Sequence, residues 1–100
     1  METTELRRIT LLSIQRALLG MISPHLRAVG VGFNGTEKLI VTYYLDREPG
    51  EEDYENLSDV SSEVLADIEF SSVEENCIFS SDEILKLNNL DSWAYKRKED

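Results

Sequence analysis

The residue types most able to carry out covalent chemistry are scarce in this chain of 100 residues and lie far apart. His25 is the only histidine and Cys77 is the only cysteine. Neither residue lies in a local signature of the kind that surrounds a catalytic cysteine. A free cysteine more often packs inside a protein, and a histidine directly after Ser23-Pro24 fits a turn. The sequence therefore predicts no nucleophilic catalytic residue.

Cation binding is the second kind of chemistry to consider, because residues 46–53 (DREPGEED) cluster oxygen ligands of the type that calcium prefers. An EF-hand loop needs glycine at its sixth position and glutamate at its twelfth, where this segment offers Glu51 and Leu57. The sequence also lacks HExxH and CxxC zinc motifs. Gly30 and Gly32 lie in a strand-like segment without the helix that follows a phosphate-binding loop. We therefore expect no metal, no cofactor and no enzymatic activity.

Negative charge is the strongest chemical feature of the chain. Fourteen of the twenty acidic residues lie between residues 46 and 83, where Arg47 is the only basic residue. This segment carries a net charge of −13, whereas the whole chain carries −10. A local field of this kind attracts a basic protein and repels nucleic acid and anionic membrane. The sequence thus predicts a protein partner with a basic surface, and no nucleic-acid or membrane binding.

The elements that would position these residues begin with a helix and a hairpin. Apolar residues at helical spacing predict a long first helix over residues 4–22, which Pro24 brings to an end. Residues 26–34 and 37–45 have the alternating and β-branched pattern of strands. Asn34-Gly35 between them predicts a two-residue hairpin turn.

The predicted turn also determines which strand residues share a face. With Phe33 opposite Thr36, one face carries Leu26, Ala28, Gly30, Gly32, Leu39, Val41, Tyr43 and Leu45. Its two glycines would let a helix approach the sheet closely. The other face carries Arg27, Val29, Val31, Phe33, Lys38, Ile40 and Tyr44. This second face is too apolar to be freely solvated, so we expect it to be covered or to be used in binding.

A second amphipathic helix is predicted over residues 51–69, after the break at Pro49-Gly50. Its outer side is acidic, and no lysine or arginine between Glu48 and Glu83 supplies the usual i,i+4 ion pairs. Repulsion among uncompensated carboxylates costs stability, so this side indicates a binding surface. The charged part of the predicted interface consists of Glu51, Glu52, Asp53, Glu55, Asp59 and Glu63.

Tyrosines are candidate anchors for the same partner, because tyrosine is enriched at binding hot spots. The predicted interface includes Tyr43 and Tyr44 in the second strand. Tyr54 is a third candidate, but it falls on the apolar side of the second helix. Its position favours packing in the core.

The remainder of the chain predicts a strand over residues 73–80, a short helical turn over 81–87, a last strand over 92–97 and a frayed tail at 98–100. We therefore expect an α+β fold in which residues 1–100 form a single domain, with both helices on a mostly antiparallel sheet. The apolar runs are too short to span a bilayer, and the N-terminus has no signal-peptide pattern. The lone cysteine fits a reducing compartment, so a cytoplasmic location is expected.

Four segments of the chain carry a family resemblance: LRAVGVGF (26–33), YYLDREPGEED (43–53), DVSSEVLADI (59–68) and WAYKRK (93–98). Together they resemble small acidic bacterial immunity proteins of contact-dependent inhibition and related polymorphic-toxin systems. The resemblance implies a cytoplasmic protein that binds a cognate toxin domain, often a nuclease. It also implies that acidic residues cover the active site of the toxin or an adjacent surface.

The charge pattern and the resemblance agree on a non-enzymatic protein that neutralises a basic toxin domain, with carboxylates imitating an anionic substrate. Two alternatives remain open from the residues alone. One is a small adaptor or regulatory subunit that dimerises or binds an enzyme through the second sheet face and the first helix. The other is a hydrolase or cation-dependent enzyme that uses the carboxylates of residues 46–53 in a concave pocket.

Overall fold

The structure of the chain, a computed structural model, describes residues 3–88 and 90–99. Helix α1 (Thr3–Ala17) is followed by the hairpin strands β1 (Leu26–Asn34) and β2 (Lys38–Leu45). After them come helix α2 (Glu51–Asp67), strand β3 (Ser72–Phe79), a short 3₁₀ helix (Ile84–Lys86) and strand β4 (Ser92–Lys96). The predicted α+β architecture and order of elements are confirmed.

The four strands form one mixed sheet in the order β3-β2-β1-β4. Strand β1 pairs antiparallel with both β2 and β4, whereas β3 runs parallel to β2. The parallel pairing follows from the connection, since α2 carries the chain from the end of β2 back to the start of β3. Two of the three pairings are therefore antiparallel, and β3 and β4 form the two edges.

Both helices contribute to a core on one face of the sheet. Ile14 of α1 and Leu57, Val60 and Val64 of α2 are fully buried together with Val41 of β2. Complete burial of one such side chain contributes about 1.5–3 kcal/mol of hydrophobic free energy. This core holds the apolar side of α2 against the sheet. The rotation of the helix about its own axis is thereby fixed, and its acidic side faces outward.

The hairpin register differs from the predicted one. Asn34 pairs with Lys38, which leaves a three-residue loop in which Gly35 has a left-handed φ of 54°. Phe33 consequently lies opposite Leu39 rather than opposite Thr36. The offset is an odd number of residues, and an odd offset moves a strand's side chains to the other face of the sheet.

The predicted distribution of side chains between the sheet faces is therefore wrong for β1 from Ala28 onward. Leu26 shares the core face with Leu45 as predicted, because the register shifts between Leu26 and Ala28. Val29 and Val31 lie in the core under the helices, opposite Tyr43 and Val41 of β2. The apolar face that would have favoured an adaptor protein is thus not exposed. The length of the hairpin loop decides which side chains of β1 lie on which face of the sheet. Asn34-Gly35 is compatible with three-residue loops as well as with two-residue turns.

The other face of the sheet is covered by the segment that connects β3 to β4. The Tyr44 hydroxyl donates a hydrogen bond to the carbonyl oxygen of Asn88 at 2.7 Å. The Tyr44 ring also contacts Trp93 edge to face, with 5.9 Å between ring centroids. Tyr44 is buried as a result. The connecting segment rather than a binding partner occupies the centre of this face.

Gly32 lies where the connecting segment packs directly against β1. A Cβ atom at this position would lie 3.1 Å from the Leu90 Cβ and 3.3 Å from an Asp91 carboxylate oxygen. The Asp91 backbone N–H donates to Val31 at 2.9 Å, and the Asp91 carboxylate accepts from the Phe33 N–H at 3.0 Å. The close approach predicted at the glycines is present, but a connecting segment makes it rather than a helix.

A Gly32→Val variant is expected to lower the free energy of unfolding by about 2 kcal/mol, because the added side chain must displace this packed segment. Urea denaturation followed by circular dichroism measures the change. Thr36→Val, in the exposed hairpin loop, is the control and should stay within about 0.5 kcal/mol of the unmodified chain. Equal stability of the two variants would contradict the close packing at Gly32.

Helix α1 ends at Ala17, five residues before its predicted end at residue 22. The chain turns where Gly20 adopts a left-handed φ of 79°, and the Met21 N–H donates to Leu18 at 2.9 Å. The early end leaves Leu19 exposed over 77% and Ile22 over 43% of their surfaces. Helix α2 also ends early, at Asp67 rather than residue 69.

The C-terminal segment, predicted to fray over residues 98–100, contains an ion-paired residue. The Glu99 carboxylate contacts the Arg27 guanidinium at 2.7 Å, and Arg97 contacts Asp46 at 2.8 Å. Hydrogen bonds from these arginines lower the pKa of Glu99 and of Asp46. Their stabilising contribution is thus present at neutral pH and lost as the pH falls through the lowered values. Asp100 lies outside the described residues.

Candidate partner-binding surface

The start of α2 is fixed by Asp53, which the sequence pattern assigns to the interface. Its carboxylate accepts a hydrogen bond from the Gly50 N–H at 2.7 Å and contacts the Arg47 guanidinium at 3.0 and 3.2 Å. The Asp53 side chain is only 4% exposed. It satisfies a backbone donor at the helix start that has no partner within the helix. Asp53 therefore holds the acidic helix in place and is not displayed to a partner.

The other predicted acids of α2 form an exposed stripe. Glu52, Glu55, Asp59 and Glu63 follow one another at steps of three or four residues, which places them on one side of the helix. Glu51 is exposed at the first turn, where the helix dipole favours a negative charge. We call these residues the α2 acidic face: Glu51, Glu52, Glu55, Asp59 and Glu63.

No side chain of the α2 acidic face takes part in an ion pair or side-chain hydrogen bond within residues 3–88 and 90–99. Acids just outside this face behave differently. Asp67 accepts a hydrogen bond from Ser13 at 2.7 Å and lies 3.6 Å from Arg16, and Glu75 accepts from Ser58 at 3.1 Å. The α2 acidic face thus presents five carboxylates without such partners on one side of a single helix.

A depression of about 260 Å³ adjoins this face between the turn after α1 and the first half of α2. It is lined by Gly20, Met21, Ile22, Ser23, Glu52 and Asn56. Glu52 contributes a carboxylate to the lining, and the surface of the depression is mostly polar. Such a site suits the charged end of a lysine or arginine side chain. The early end of α1 creates this depression, which periodicity alone did not reveal.

The structure separates the three candidate tyrosines. Tyr43 is buried in the core under the helices, where burial raises the pKa of its hydroxyl, and Tyr44 is buried on the opposite face of the sheet. Neither side chain is displayed at the surface. Tyr54, which its spacing assigned to the core, is instead half exposed. Leu57, Val60 and Val64 form the middle of the buried side of α2, and Tyr54 lies at the edge of that side.

The chain's histidine and cysteine have separate structural roles. The His25 ring nitrogen Nδ1 lies 3.0 Å from a carboxylate oxygen of Asp46. Cys77 lies in β3 beside Tyr43 of β2 and is half-buried. Within the described part of the chain, no group of three or more histidine, cysteine or acidic residues is arranged to hold a metal ion. The same residues include no helix that is both long and apolar enough to cross a bilayer.

Cys77 is expected to react slowly with alkylating reagents. Burial raises the pKa of its thiol to about 11, and the nearby carboxylates of Asp53 and Glu75 act in the same direction. Only the thiolate is nucleophilic, so alkylation at pH 8 should be on the order of 100-fold slower than for a free cysteine peptide. The rate should keep rising up to about pH 11 and should recover on unfolding in urea. A plateau near pH 9 in the folded protein would contradict the raised pKa.

The geometry therefore consists of a rigid α+β scaffold, a helix side of unpaired carboxylates and an adjoining depression. Comparison with known proteins indicates the role of the chain. A search of curated proteins found no match to the chain. The family model described as MafI2 immunity protein matches residues 7–99, which include most of α1, all of α2 and all four strands. The family also agrees with the resemblance to immunity proteins of polymorphic-toxin systems. The chain belongs to the MafI2 immunity protein family.

Proposed function

We propose that this chain acts in the cytoplasm, where it binds a cognate toxin domain through the α2 acidic face and so neutralises it without catalysis. The family supports toxin neutralisation as the role. We choose this surface because its exposed carboxylates have no partners among the described residues. Their mutual repulsion costs stability in the free protein, and a basic partner removes that cost on binding.

The toxin domain is proposed to be a nuclease. Successive carboxylates of the stripe from Glu52 to Glu63 are about 4.5–6 Å apart along the helix axis, from the rise of 1.5 Å per residue. The phosphates of a nucleic-acid strand also form a row of negative charges, which follow one another at about 3.4 Å along the axis. A basic surface that holds such a row of phosphates also attracts this row of carboxylates, although the two intervals differ. The inhibitor would occupy the phosphate-binding surface and exclude the nucleic acid.

The surface around the acidic face supplies contacts besides charge attraction. Exposed charges raise the association rate and select the partner, whereas lasting affinity depends on desolvated anchors at the centre of an interface. A lysine or arginine of the toxin places its charged end beside Glu52 in the mostly polar depression. Leu19, next to this turn in the chain, adds exposed apolar surface. Tyr54 supplies an exposed aromatic ring on the same helix.

The test begins by sequencing the reading frames next to this gene and takes a toxin domain that they encode. The domain is produced in cells with and without this chain, and growth is followed. We expect growth arrest that co-production of this chain reverses. Arrest that persists despite stable co-production of the chain would contradict neutralisation of that toxin.

Purified components separate the nuclease proposal from the binding proposal. Cleavage of nucleic acid by the toxin domain should stop at a one-to-one ratio of this chain. The dissociation constant should rise steeply as sodium chloride increases from about 50 to 300 mM, because salt screens exposed charges. Neutralisation of a toxin that cleaves no nucleic acid would overturn the nuclease proposal alone. Binding that does not change with salt would overturn the acidic interface.

A further inference from the structure

Strand β3 presents a long free edge beside the α2 acidic face. All eight of its residues are paired in continuous register with β2, from Ser72 opposite Lys38 to Phe79 opposite Leu45. No other strand of the described residues pairs with the far side of β3. An edge of this length without a bulge offers a row of unpaired backbone groups to an additional strand.

The backbone bonds at the two ends of β3 show which N–H groups face outward. The Ser72 N–H donates to Glu37 at 3.1 Å, and the Ser80 N–H donates to Leu45 at 3.1 Å. Even-numbered residues therefore direct their N–H groups toward β2, because backbone groups alternate along a strand. The N–H groups of Val73, Glu75, Cys77 and Phe79 accordingly face the free edge.

The side chains of this edge indicate the chemistry of the strand it would accept. Ile78 is 42% exposed and Phe79 is 44% exposed, so the end of β3 offers apolar contacts on both faces. Near the middle, Glu75 is a carboxylate on the helix-facing side without a basic partner among the described residues, whereas Glu74 on the other face is paired with Lys38 at 2.8 Å. A second copy of the chain would bring like charges together across a β3–β3 contact, which is destabilising. A segment carrying lysine or arginine together with apolar residues complements the same edge.

The free edge is continuous with the α2 acidic face. Ser58 of α2 donates a hydrogen bond to the Glu75 carboxylate at 3.1 Å, which joins the outer side of the helix to the helix-facing side of β3. A basic partner held on α2 is therefore also positioned along β3. Electrostatic attraction and backbone pairing can act on one partner at the same time.

We propose that an extended, lysine- or arginine-bearing segment of the toxin adds to the sheet as a strand beside β3. This inference rests on the proposed function, since it gives the toxin a second contact on the same side of the protein. Backbone hydrogen bonds supply affinity in this mode of recognition, and side chains at alternate positions supply specificity. The Glu75 carboxylate meets a basic side chain of the added strand, and Ile78 and Phe79 meet its apolar ones.

Two substitutions at one position test the backbone contact. Glu75→Pro removes an outward N–H and the carboxylate, whereas Glu75→Thr removes the carboxylate and keeps the N–H. Proline is tolerated in an edge strand where its nitrogen faces away from the neighbouring strand. We expect Glu75→Pro to bind the toxin domain at least 10-fold more weakly than Glu75→Thr, as measured by isothermal titration calorimetry at one salt concentration. Circular dichroism and melting temperature check the fold of both variants.

Hydrogen exchange on the unmodified chain gives a second readout that does not depend on the folding of the proline variant. Adding the toxin domain should slow exchange at the outward amides of Val73, Glu75, Cys77 and Phe79. Unchanged exchange at these amides, or equal affinity of two folded variants, would overturn strand addition while toxin neutralisation stands. Failure of the unmodified chain to bind the toxin would overturn both the proposed function and this inference.

Discussion

Reversing three charges of the α2 acidic face, with Glu52→Lys, Glu55→Lys and Asp59→Lys in one variant, is expected to abolish protection against the toxin while leaving the fold intact. Each reversal replaces an attraction to a basic partner with a repulsion. Like charges brought together across an interface cost several kcal/mol, so affinity should fall by about 10³-fold or more. Toxin affinity by calorimetry and growth of toxin-producing cells measure the effect.

The fold of this variant should be retained, because the three side chains are exposed and have no ion pair or side-chain hydrogen bond within the described residues. Lysine also has a helix propensity similar to that of glutamate. The net charge changes from −10 to −4, since each reversal adds two positive charges. Lower repulsion along α2 should leave the melting temperature unchanged or raise it.

A matched control separates the α2 acidic face from bulk charge. Glu37, Asp82 and Glu83 are exposed acids of the hairpin loop and of the segment after β3. Reversing all three to lysine gives the same net charge as the first variant. This control should protect cells almost as well as the unmodified chain. Equal loss of protection in both triple variants would show that overall charge, rather than the α2 acidic face, governs neutralisation.

An Asp53→Ala variant is expected to lose about 2–3 kcal/mol of stability, through loss of a helix cap and of charge-assisted hydrogen bonds. The substitution removes the acceptor of the Gly50 N–H and leaves the Arg47 guanidinium without its buried carboxylate. Helix α2 then loses the contact that fixes its first turn. Urea denaturation followed by circular dichroism measures the change in the free energy of unfolding.

The control for this prediction is Glu55→Ala, two residues further along the same helix. Glu55 is exposed and has no side-chain partner in the described residues, so its replacement should change stability by no more than about 0.5 kcal/mol. Similar stabilities of the two variants would contradict the structural role of Asp53. A large loss of stability for Asp53→Ala alone would show that substitution of Asp53 disturbs the fold, unlike substitution of the exposed acids of α2.

Sequence pattern identified most of the elements because the signals for them are local. The spacing of apolar residues predicted that α2 is amphipathic, and the structure buries its Leu57, Val60 and Val64. The same period placed Glu52 and Glu55 on the outer side. Helix periodicity depends only on neighbouring turns of one segment, so it can be read without knowledge of the rest of the fold.

The hairpin register shows where local signals were insufficient. Asn34-Gly35 is compatible with loops of two or three residues, and the two choices place opposite sets of β1 side chains on the core face. Burial of Val29 and Val31 beneath the helices accompanies the three-residue loop. That choice depends on contacts between segments far apart in the chain, which sequence spacing does not contain.

The sequence by itself determined that negative charge is concentrated in one segment and that α2 carries a row of acids on its outer side, because composition and helical period are properties of the chain. Only the tertiary structure decided which carboxylates a partner can reach. Asp53 and Glu52 are adjacent acids, yet Asp53 binds Arg47 and the backbone, while Glu52 lines an open depression. The strand order likewise made β3 an edge. Both outcomes depend on long-range packing, which brings residues together regardless of their type or spacing.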